Sequence, residues 1–422
     1  MNAPTDKALA SQLTSLIETH ANAIEQKVIA WRRDLHANPE LGNREFRTSK
    51  IVADHLKALG LDEVISNVAI TGVVGVLKGG KPGPCVALRA DMDGLPVTEQ
   101  VDVPFASKVR TTWNGQDTGV MHACGHDCHV SMLMGAAEVL TGLREQICGT
   151  VKFIFQPAEE GLPHDEEGGA KLMIEEGALA NPKPDAIFGI HVISYLNAGH
   201  IGYRPGAMMA STDNFLIKIK GRQGHASMPW STVDPIVTSA HVVLGLQNIV
   251  SRQVDIMDNA AVVTVGAING GLRENIIPDE VEMRGTFRTF DEGQREYIRK
   301  EIADKTNLIA CSCHATAEVK IQKGYPVTVN DTKLTLWSLP TLTRSAGDAF
   351  VHHIPKTGGG EDFSYFQQQI PGAFYFIGIT PPGKDGSKAP TNHSPHFYVD
   401  ESGLALGTKL LCNLVADYQA SH

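Results

Sequence analysis

Short apolar runs and helix-like segments alternate along the first half of the chain. The apolar runs are bounded by Gly and Pro, as fully buried strands are, and they cover residues 72–77, 85–88, 151–155 and 186–191. The segments that repeat apolar residues at helical spacing are residues 24–39, 45–59, 130–143 and 169–176. This alternation predicts an α/β sheet with helices on both faces.

The pattern changes after Met209. Residues 214–220 alternate apolar and charged side chains, as a half-exposed strand does. The elements that follow complete the order β-α-β-β-α-β of a split ferredoxin-like unit, and they are residues 235–251, 261–268, 281–289, 292–310 and 316–321. The helix-and-strand rhythm resumes beyond Tyr325. We therefore expect a discontinuous α/β domain of residues 1–209 and 325–422, with a mixed sheet flanked by helices, and an inserted α+β domain of residues 210–324.

Composition and charge narrow the classes of protein to consider. Hydrophobic residues make up 42% and charged residues 20% of the 422 positions, and no apolar run reaches the length of about 20 residues that spans a bilayer. The N-terminal segment lacks the features of a secretory signal, so we expect a cytoplasmic protein without a membrane partner. The net charge of −10, without a basic tract, argues against nucleic acid as a partner but not against an anionic small substrate.

Two short motifs concentrate side chains that bind metals. Residues 121–129 read MHACGHDCH, and residues 156–161 read QPAEEG. Thiolate, imidazole and carboxylate are the donors that Zn²⁺ binds, and the spacing of Cys124 and His126 differs from the CxxC spacing of structural sites. QPAEEG follows a predicted buried strand, where α/β folds place ligands. One of its adjacent carboxylates suits a metal ion and the other suits proton transfer from water, which predicts a metal site with its own base.

Nine segments of the chain form an ordered set of motifs. They are WRRDLHANPELG (31–42), LRADMDGLP (88–96), MHACGHDCH (121–129), FQPAEEG (155–161), FGIHV (188–192), GRQGHASMP (221–229), ENIIP (274–278), GGEDFSYF (359–366) and NHSPHF (392–397). Together they resemble the M20 family of metallopeptidases and amidohydrolases, in the branch of hippurate hydrolases, aminoacylases and plant auxin-conjugate hydrolases. The resemblance covers nearly the whole chain, and it implies a zinc-peptidase-like catalytic domain with an inserted lid domain.

The resemblance implies a centre of two divalent metal ions, which Zn²⁺, Mn²⁺, Co²⁺ or Ni²⁺ would fit. The implied ligands are a bridging Cys124, with Glu160 and His393 on one ion and His126 and His191 on the other. Glu159 would be the general base that takes a proton from the metal-activated water and delivers it to the departing amine.

Other acids and histidines near these motifs suit supporting roles around this centre. Asp91 and Asp93 would orient metal ligands by contacting the ligands and not the metal, and the sequence does not decide which of them does so. His129 suits either such a supporting role or core packing. The remaining histidines match no ligand spacing and are expected at the surface or in packing; they are His36, His55, His241, His352 and His353.

For the inserted domain, the resemblance implies a lid that also joins subunits into a homodimer or a homotetramer. His225 and Asn275 would donate hydrogen bonds to the amide oxygen, with His225 acting in its own or in the partner subunit. Arg273, Arg288 and Gly359 are candidates for holding a substrate carboxylate. Either arginine equally suits an internal ion pair.

These residues favour the hydrolysis of N-acyl amino acids, either hippurate-like or N-acetylated. A dipeptidase or carboxypeptidase that uses the same dinuclear site is the nearest alternative. A second hypothesis makes Cys124 a nucleophile with His126 or His129 as its base, and a third makes the chain an inactive metal-binding or dimeric scaffold. The native metal, the acyl group and the amino acid preference stay open.

Overall fold

The computed structural model of the protein describes residues 3–163 and 166–422. These residues contain ten α-helices, which are α1 (Ala3–Ala23), α2 (Glu25–Ala37), α3 (Phe46–Ala58), α4 (His126–Gly142), α5 (Gly169–Glu175), α6 (Pro235–Asn248), α7 (Glu292–Ser312), α8 (Thr332–Ala346), α9 (Phe363–Gln367) and α10 (Leu404–Ser421). The strands of the same residues are β1 (Glu63–Val68), β2 (Gly72–Lys78), β3 (Lys81–Asp91), β4 (Arg110–Trp113), β5 (Gln116–Gly119), β6 (Cys148–Gln156), β7 (Ala186–Asn197), β8 (Ile201–Tyr203), β9 (Gly206–Met209), β10 (Asp213–Lys220), β11 (Gly224–His225), β12 (Ala261–Gly270), β13 (Ile276–Ile277), β14 (Glu280–Thr289), β15 (Thr316–Lys323), β16 (Thr328–Asn330), β17 (Val351–His353) and β18 (Gly372–Thr380).

Three helices begin immediately after an aspartate that caps their first turn. The side chains of Asp234, Asp291 and Asp331 accept backbone N–H groups in the first turns of α6, α7 and α8. Such capping satisfies amides that have no partner inside the helix. Among the described residues, no helix is both long and apolar enough to cross a membrane.

The largest sheet of the described residues has eight strands in the order β1-β2-β6-β3-β7-β18-β8-β17. Its central strands β6, β3, β7 and β18 run parallel. β2 lies antiparallel to β6, and β1 antiparallel to β2. The central strands are buried over most of their length, as the apolar runs predict for β3, β6 and β7. The expected fold class, an α/β domain with a mixed sheet flanked by helices, is confirmed.

A second, antiparallel sheet forms within the inserted segment. Its order is β12-β14-β10-β15, and α6 and α7 pack against it. The chain order β10-α6-β12-β14-α7-β15 is that of the expected ferredoxin-like unit. Its core combines apolar side chains of the sheet and of the helices, among them Phe215, Ile217, Met283, Phe287 and Ile302.

The described residues divide into two compact units. The second unit consists of Ala207–Val329 and Lys356–Ser364, and the first contains the other described residues. Each unit has its own hydrophobic core. The sequence places the inserted domain at residues 210–324, and its pattern does not indicate that Lys356–Ser364 groups with that domain.

Candidate metal centre

Residues of three neighbouring parallel strands lie level with one another at the edge of the large sheet where β3 and β6 end. Asp91, the last residue of β3, is paired in register with Gln156, the last residue of β6. Arg89 in β3 is paired with Gly189 in β7, so His191 is level with Asp91 at the same edge. The carboxyl ends of parallel strands are where α/β folds hold ligands. The loop with the two adjacent glutamates leaves β6 at this edge.

A turn at Gly125 brings the MHACGHDCH motif to this edge. Gly125 has a φ of +89° and immediately precedes α4, whose first residue is His126. A Cβ atom at Gly125 would lie 2.2 Å from Cγ2 of Val192 on β7. The backbone conformation and the close packing therefore both require glycine. Cys124 and His126 lie on either side of this turn.

The sulfur of Cys124 lies between two imidazoles. Its Sγ atom is 3.3 Å from Nε2 of His191 and 3.3 Å from Nε2 of His393. His393 lies in the loop after β18, and its backbone N–H donates to the carbonyl of Ala123 at 2.8 Å. The same Nε2 of His393 is 3.0 Å from Oε1 of Glu160. Segments that are distant in sequence thus meet at Cys124.

His126 faces both glutamates of the QPAEEG loop. Its Nε2 atom is 3.9 Å from Oε2 of Glu159 and 3.9 Å from Oε1 of Glu160. This Nε2 is buried and has no hydrogen-bond partner among the described residues. Buried polar atoms without a partner are rare, and an imidazole nitrogen aimed at carboxylates fits a metal ion.

The donor atoms form two groups that share Cys124. Within each group, the ligand atoms lie within 4.8 Å of one another. One group is Cys124, His126 and His191, and the other is Cys124, Glu160 and His393. They contain the same residues as the two ligand sets implied by the resemblance. A thiol, three imidazoles and a carboxylate are donors that suit borderline divalent metals.

The two aspartates at the end of β3 have different partners. Oδ1 of Asp93 is 3.1 Å from Nδ1 of His126, and its Oδ2 accepts the backbone N–H of Glu160 at 2.8 Å. Asp91 is 3.7 Å from the same Nδ1 and instead lies 2.5 Å from Nδ1 of His129. Asp93 is therefore the aspartate that holds His126, which the sequence left undecided.

Asp91 and His129 belong to a buried network at the strand ends. Nη1 of Arg89 donates to Asp91 at 2.7 Å, and its Nε donates to Gln156 at 2.8 Å. His129 accepts the backbone N–H of Val192 at its Nε2, at 2.8 Å. Both ring nitrogens of His129 are thus engaged, and its role is to join β3, α4 and β7.

Burial and negative charge make this edge of the sheet favourable for a cation. Burial, followed by the charges of Glu160 and Glu159, raises the pKa of the Cys124 thiol well above its ordinary value. Burial lowers the pKa of His126, but the neighbouring carboxylates, Asp91 first among them, outweigh it and raise that pKa to about 10. A divalent ion would balance these carboxylates and favour the thiolate form of the cysteine.

A buried network of charged residues joins α2 and α4, and the sequence does not predict it. His36 is buried, with Nδ1 2.8 Å from Oδ2 of Asp127 and Nε2 3.0 Å from Oε1 of Glu99. Nε of Arg32 is 2.8 Å from the same Oδ2 of Asp127. The interpretation of His36 as a surface or packing residue missed these ion pairs. The available signal was its spacing of one helical turn from Arg32, which puts both side chains on one face of α2.

In the second unit, His225 and Asn275 lie on neighbouring segments. β11 ends at His225 and pairs with β13, which follows Asn275. The backbone N–H of Ala226 donates to the carbonyl of Asn275 at 3.1 Å. Nδ1 of His225 accepts the N–H of Ser227 at 3.1 Å, so a neutral ring carries its proton on Nε2 as a hydrogen-bond donor. Both side chains are exposed.

The three candidates for holding a carboxylate have different surroundings. Arg273 and Gly359 are exposed, whereas Arg288 on β14 is half-buried. Burial lowers the pKa of Arg288, and the charge of Asp213 opposes that effect. Asp213 is itself ion-paired with Arg295 at 2.6 Å. The acid that acts on Arg288 is therefore already paired with another arginine.

Comparison with known proteins identifies relatives over nearly the whole length of the chain. Residues 87–417 match Peptidase family M20/M25/M40. Thermostable carboxypeptidase 2 of Saccharolobus solfataricus is 42% identical over 94% of this chain and 96% of the relative. IAA-amino acid hydrolase ILR1-like 4 of Arabidopsis thaliana is 40% identical over 93% of this chain and 85% of the relative. N-acetylcysteine deacetylase of Bacillus subtilis is 37% identical over 93% and 97%.

A solved structure has the same architecture. The Bacillus subtilis YXEP protein, a dinuclear metal binding peptidase from the M20 family, matches with a TM-score of 0.77 at 34% identity, covering 94% of this chain and 98% of that chain. The family resemblance inferred from the motifs is confirmed. The chain belongs to peptidase family M20/M25/M40 and is a metal-dependent hydrolase of the peptidase and amidohydrolase type.

Proposed function

We propose that the protein hydrolyses the amide bond of N-acyl amino acids with two divalent metal ions. The observation that supports this most strongly is the convergence of four donors around a fifth, Cys124, with Glu159 beside them. We assign Cys124 as the bridging ligand, and we assign the other ligands as Glu160 and His393 for one ion, and His126 and His191 for the second. Zn²⁺, Mn²⁺, Co²⁺ and Ni²⁺ each suit this donor set.

Glu159 is the residue that we propose as the base. Two divalent ions, when bound, acidify water and polarise an amide carbonyl. Glu159 is 5% exposed and comes immediately before the ligand Glu160. A carboxylate in this position takes a proton from the attacking water and then protonates the departing amine nitrogen. Because one residue makes both transfers, its loss should abolish turnover while the ligands stay in place.

The second unit supplies further groups in this proposal. His225, with its proton on Nε2, and the exposed amide of Asn275 are donors for the amide oxygen of the substrate. His225 acts either in its own subunit or in the partner subunit. Arg273, Arg288 and Gly359 are the candidates for the substrate carboxylate, and the half-buried guanidinium of Arg288 is the one with restricted hydration.

The names of two relatives support an N-acyl amino acid as the substrate class. An IAA-amino acid hydrolase and an N-acetylcysteine deacetylase are both named for removing a group from an amino acid. Such substrates combine a neutral amide with a free carboxylate. A metal centre can activate water to attack such an amide, and a guanidinium can bind the carboxylate. The grouped donors and the candidate arginines of this chain suit these two tasks.

The experiment combines metal exchange with a substrate panel. The protein is stripped with a chelator, reloaded with Zn²⁺, Mn²⁺, Co²⁺ or Ni²⁺, and assayed on hippurate and on N-acetyl amino acids. We expect activity only in the reloaded protein. Glu159→Gln should keep its metal content and lose about 10²- to 10⁴-fold in kcat, whereas Glu175→Gln, an exposed glutamate on α5, should behave as wild type. Wild-type protein that hydrolyses no panel member with any metal overturns the proposal.

A peptidase acting on dipeptides or on C-terminal residues is the second candidate. It is favoured by the 42% identity to a thermostable carboxypeptidase. The two activities share the metal centre and differ in whether the substrate has a free α-amine. Rates on hippurate and on Gly-Phe, measured under the same conditions, separate them. Faster turnover of Gly-Phe would assign the protein to the peptidases.

The thiol and scaffold hypotheses are less well supported. Burial raises the pKa of Cys124, which disfavours the thiolate that a cysteine nucleophile needs in the absence of metal. Glu159 has no use in a metal store, and the family is one of hydrolases. Loss of activity on chelation, with recovery on adding metal, separates a metal hydrolase from a thiol enzyme.

We also propose that the second unit joins subunits into a homodimer or a homotetramer. On α6, Val237 and Leu244 are 53% and 69% exposed, and they lie on one face of the helix. β12 is an edge strand of the four-stranded sheet, and its Val262 and Ile268 are each 51% exposed. An edge strand and an apolar helix face on one unit are a suitable surface for a second copy. Light scattering of the purified protein tests this proposal.

A further inference from the structure

The loop after β6 presents its two glutamates immediately after a residue in an unusual conformation. Ala158 has a φ of +54°, in the left-handed region that residues other than glycine rarely adopt. The backbone at this position sets the direction in which the chain continues into Glu159 and Glu160. Whatever stabilises this conformation therefore also determines how the two carboxylates project.

The buried carboxyl group of Glu45 binds the backbone of Ala158. Oε1 of Glu45 accepts the backbone N–H of Ala158 at 2.8 Å, and its Oε2 lies 2.6 Å from the hydroxyl of Thr71. Glu45 and Thr71 are both fully buried. Although Glu45 immediately precedes α3, its side chain makes no capping hydrogen bond to that helix. Local helix capping therefore does not account for this buried acid.

The segment before Glu45 packs tightly against the same loop. A Cβ atom at Gly42 would lie 2.9 Å from the carbonyl oxygen of Gly161 and 3.2 Å from Cα of Ala158. The carbonyl of Glu40 accepts the backbone N–H of Gly94 at 2.7 Å. The segment is thus fixed to the end of β3 as well as to the loop, and it forms a rigid support for the carboxyl group.

Two buried acids hold the amides on either side of Glu159. Glu45 holds the amide of Ala158, and Asp93 holds the amide of Glu160 at 2.8 Å. Burial and the charge of Asp93 raise the pKa of Glu45 to about 8, so its carboxyl group is mostly protonated at neutral pH. A protonated carboxyl offers one acceptor and one O–H donor, and the side chain of Gln offers the same pattern.

We propose that Glu45 is a positioning residue for the hydrolysis: by holding the amide of Ala158, it keeps that residue left-handed and fixes the separate directions of Glu159 and Glu160. This inference rests on the proposed function of those two glutamates. Glu45 touches neither the substrate nor the ligand atoms in this account, and it acts only through the backbone of the loop.

The first test compares Glu45→Met with Glu45→Gln. Met has a similar length and no acceptor for the amide of Ala158, whereas Gln keeps an acceptor and a donor. We expect Glu45→Met to lower the affinity for Zn²⁺ and kcat on an N-acyl amino acid by about 10- to 100-fold each, with KM little changed. Glu45→Gln should stay within about threefold of wild type in both quantities. Zinc affinity is measured by competition with a chromophoric chelator in the absence of substrate.

A second variant relieves the cost of the positive φ at residue 158 and leaves the hydrogen-bond partner unchanged. Glycine adopts a positive φ without the side-chain penalty, so Ala158→Gly should reduce the dependence on Glu45. We expect the double variant Glu45→Met with Ala158→Gly to recover at least about fivefold in zinc affinity over Glu45→Met alone. If Glu45→Met does not fold, Thr71→Val, which removes the other partner of the carboxyl group, should weaken zinc binding in the same direction.

The outcomes that overturn the inference are distinct from failure of the proposed function. Wild-type zinc affinity in Glu45→Met, or equal losses in Glu45→Met and Glu45→Gln, would show that Glu45 does not position the loop in this way. So would a double variant no better than Glu45→Met, or unchanged zinc binding in Thr71→Val. If the wild-type protein hydrolyses no N-acyl amino acid, the proposed function fails, while the zinc measurements still decide the role of Glu45.

Discussion

Two imidazoles of the proposed metal centre, those of His191 and His126, are oriented by the groups that contact their Nδ1 atoms. Nδ1 of His191 donates to the carbonyl of Val192 at 2.7 Å, and Nδ1 of His126 lies 3.1 Å from Asp93. With a metal ion bound, each ring would be neutral and would keep its proton on Nδ1, so each would offer Nε2 as an acceptor to the ion. Metal affinity depends on the orientation of each ring. That orientation is thus set by one contact at Nδ1 within the first unit.

Replacing Asp93 by Asn should weaken metal binding more than the same change at Asp91. Asp93→Asn leaves one oxygen for two partners, the ring of His126 and the amide of Glu160, so we expect zinc affinity to fall about 10- to 100-fold. Asp91→Asn removes the charge beside buried Arg89, so we expect a loss of about 3–5 kcal/mol in the free energy of unfolding. Zinc titration and urea unfolding of both variants measure these effects.

The two aspartates serve as controls for each other. Both are buried and lie at the end of β3, but they have different partners. If Asp91→Asn stays folded and loses as much zinc affinity as Asp93→Asn, then Asp91 also orients a ligand, and the assignment of His126 to Asp93 alone is wrong.

At the scale of elements, the turn from Cys124 into α4 depends on one glycine. Gly125 and Gly199 have nearly the same φ, +89° and +88°, but of these two only Gly125 has a neighbour that a Cβ atom would meet. Gly199→Ala should therefore cost only the left-handed strain, about 1–2 kcal/mol in unfolding free energy. Gly125→Ala should cost more, because Val192 must move, and it should lower zinc affinity at least about 10-fold.

Urea unfolding and zinc titration of the two alanine variants check this prediction. Equal stability losses with unchanged zinc affinity in both would mean that the contact between Gly125 and β7 does not hold the metal-binding turn.

The buried network of charged residues that joins α2 and α4 should make the free energy of unfolding depend on pH. Burial raises the pKa of Asp127, but the charges of Arg32 and His36 outweigh burial and hold that pKa well below its ordinary value. A carboxyl with a depressed folded pKa contributes stability that is fully present above its unfolded pKa of about 4 and is lost as pH falls through the folded value. Asp127→Asn should cost about 3 kcal/mol at neutral pH, because buried Arg32 then loses its nearer carboxylate, at 2.8 Å, and keeps Glu401 at 3.2 Å.

The pH dependence distinguishes this network from an ordinary ion pair. In chelated protein, the stability gap between wild type and Asp127→Asn should widen from pH 7 to pH 5, because Asp127, against the effect of burial, raises the pKa of His36 and that stabilisation is fully present only at the lower pH. The gap should then shrink by about 1 kcal/mol between pH 5 and pH 3, as the unfolded carboxyl of Asp127 takes up its proton. Asp117→Asn breaks an exposed pair with Arg110, so it should cost less than about 1 kcal/mol. A gap for Asp127→Asn that does not change between pH 5 and pH 3 would contradict the depressed pKa.

The sequence predicts elements better than it predicts their contacts. Apolar periodicity locates β6 and α3 because burial repeats with the geometry of each element. Which acid holds which amide depends instead on the folding of distant segments, as with Glu45 and Ala158, which are 113 positions apart. Asp91 and Asp93 differ only in which partners they meet across the sheet edge. The motifs indicate the donor residues, but the hydrogen bonds that set ring orientation are visible only in three dimensions.

At the scale of the whole molecule, the exposed apolar surface of the second unit predicts subunit contacts. Leu244 on α6 and Leu308 on α7 are similarly exposed, at 69% and 71%. Of the two edge strands, however, α6 contacts β12 and α7 contacts β15. If α6 and β12 form the interface, Leu244→Glu should raise the dissociation constant of the dimer at least about 10-fold, whereas Leu308→Glu should not. Light scattering over a range of concentrations measures both. A wild-type monomer, or dissociation in Leu308→Glu alone, would rule out this surface.

Mixing two inactive variants tests whether His225 acts across the subunit interface. Glu159→Gln lacks the base, and His225→Ala lacks the donor, so each homodimer should be inactive. In a mixed dimer, a site that takes Glu159 from one chain and His225 from the other is complete only if His225 acts in the partner subunit. Random exchange of equal amounts should then restore about a quarter of the wild-type activity, because half of the dimers are mixed and each has one complete site.

If His225 acts within its own chain, no site in any dimer is complete, and the mixture should be as inactive as its components. A mixture of Glu159→Gln with Glu160→Gln, two changes within one loop of the first unit, is the control, and it should stay inactive in either case.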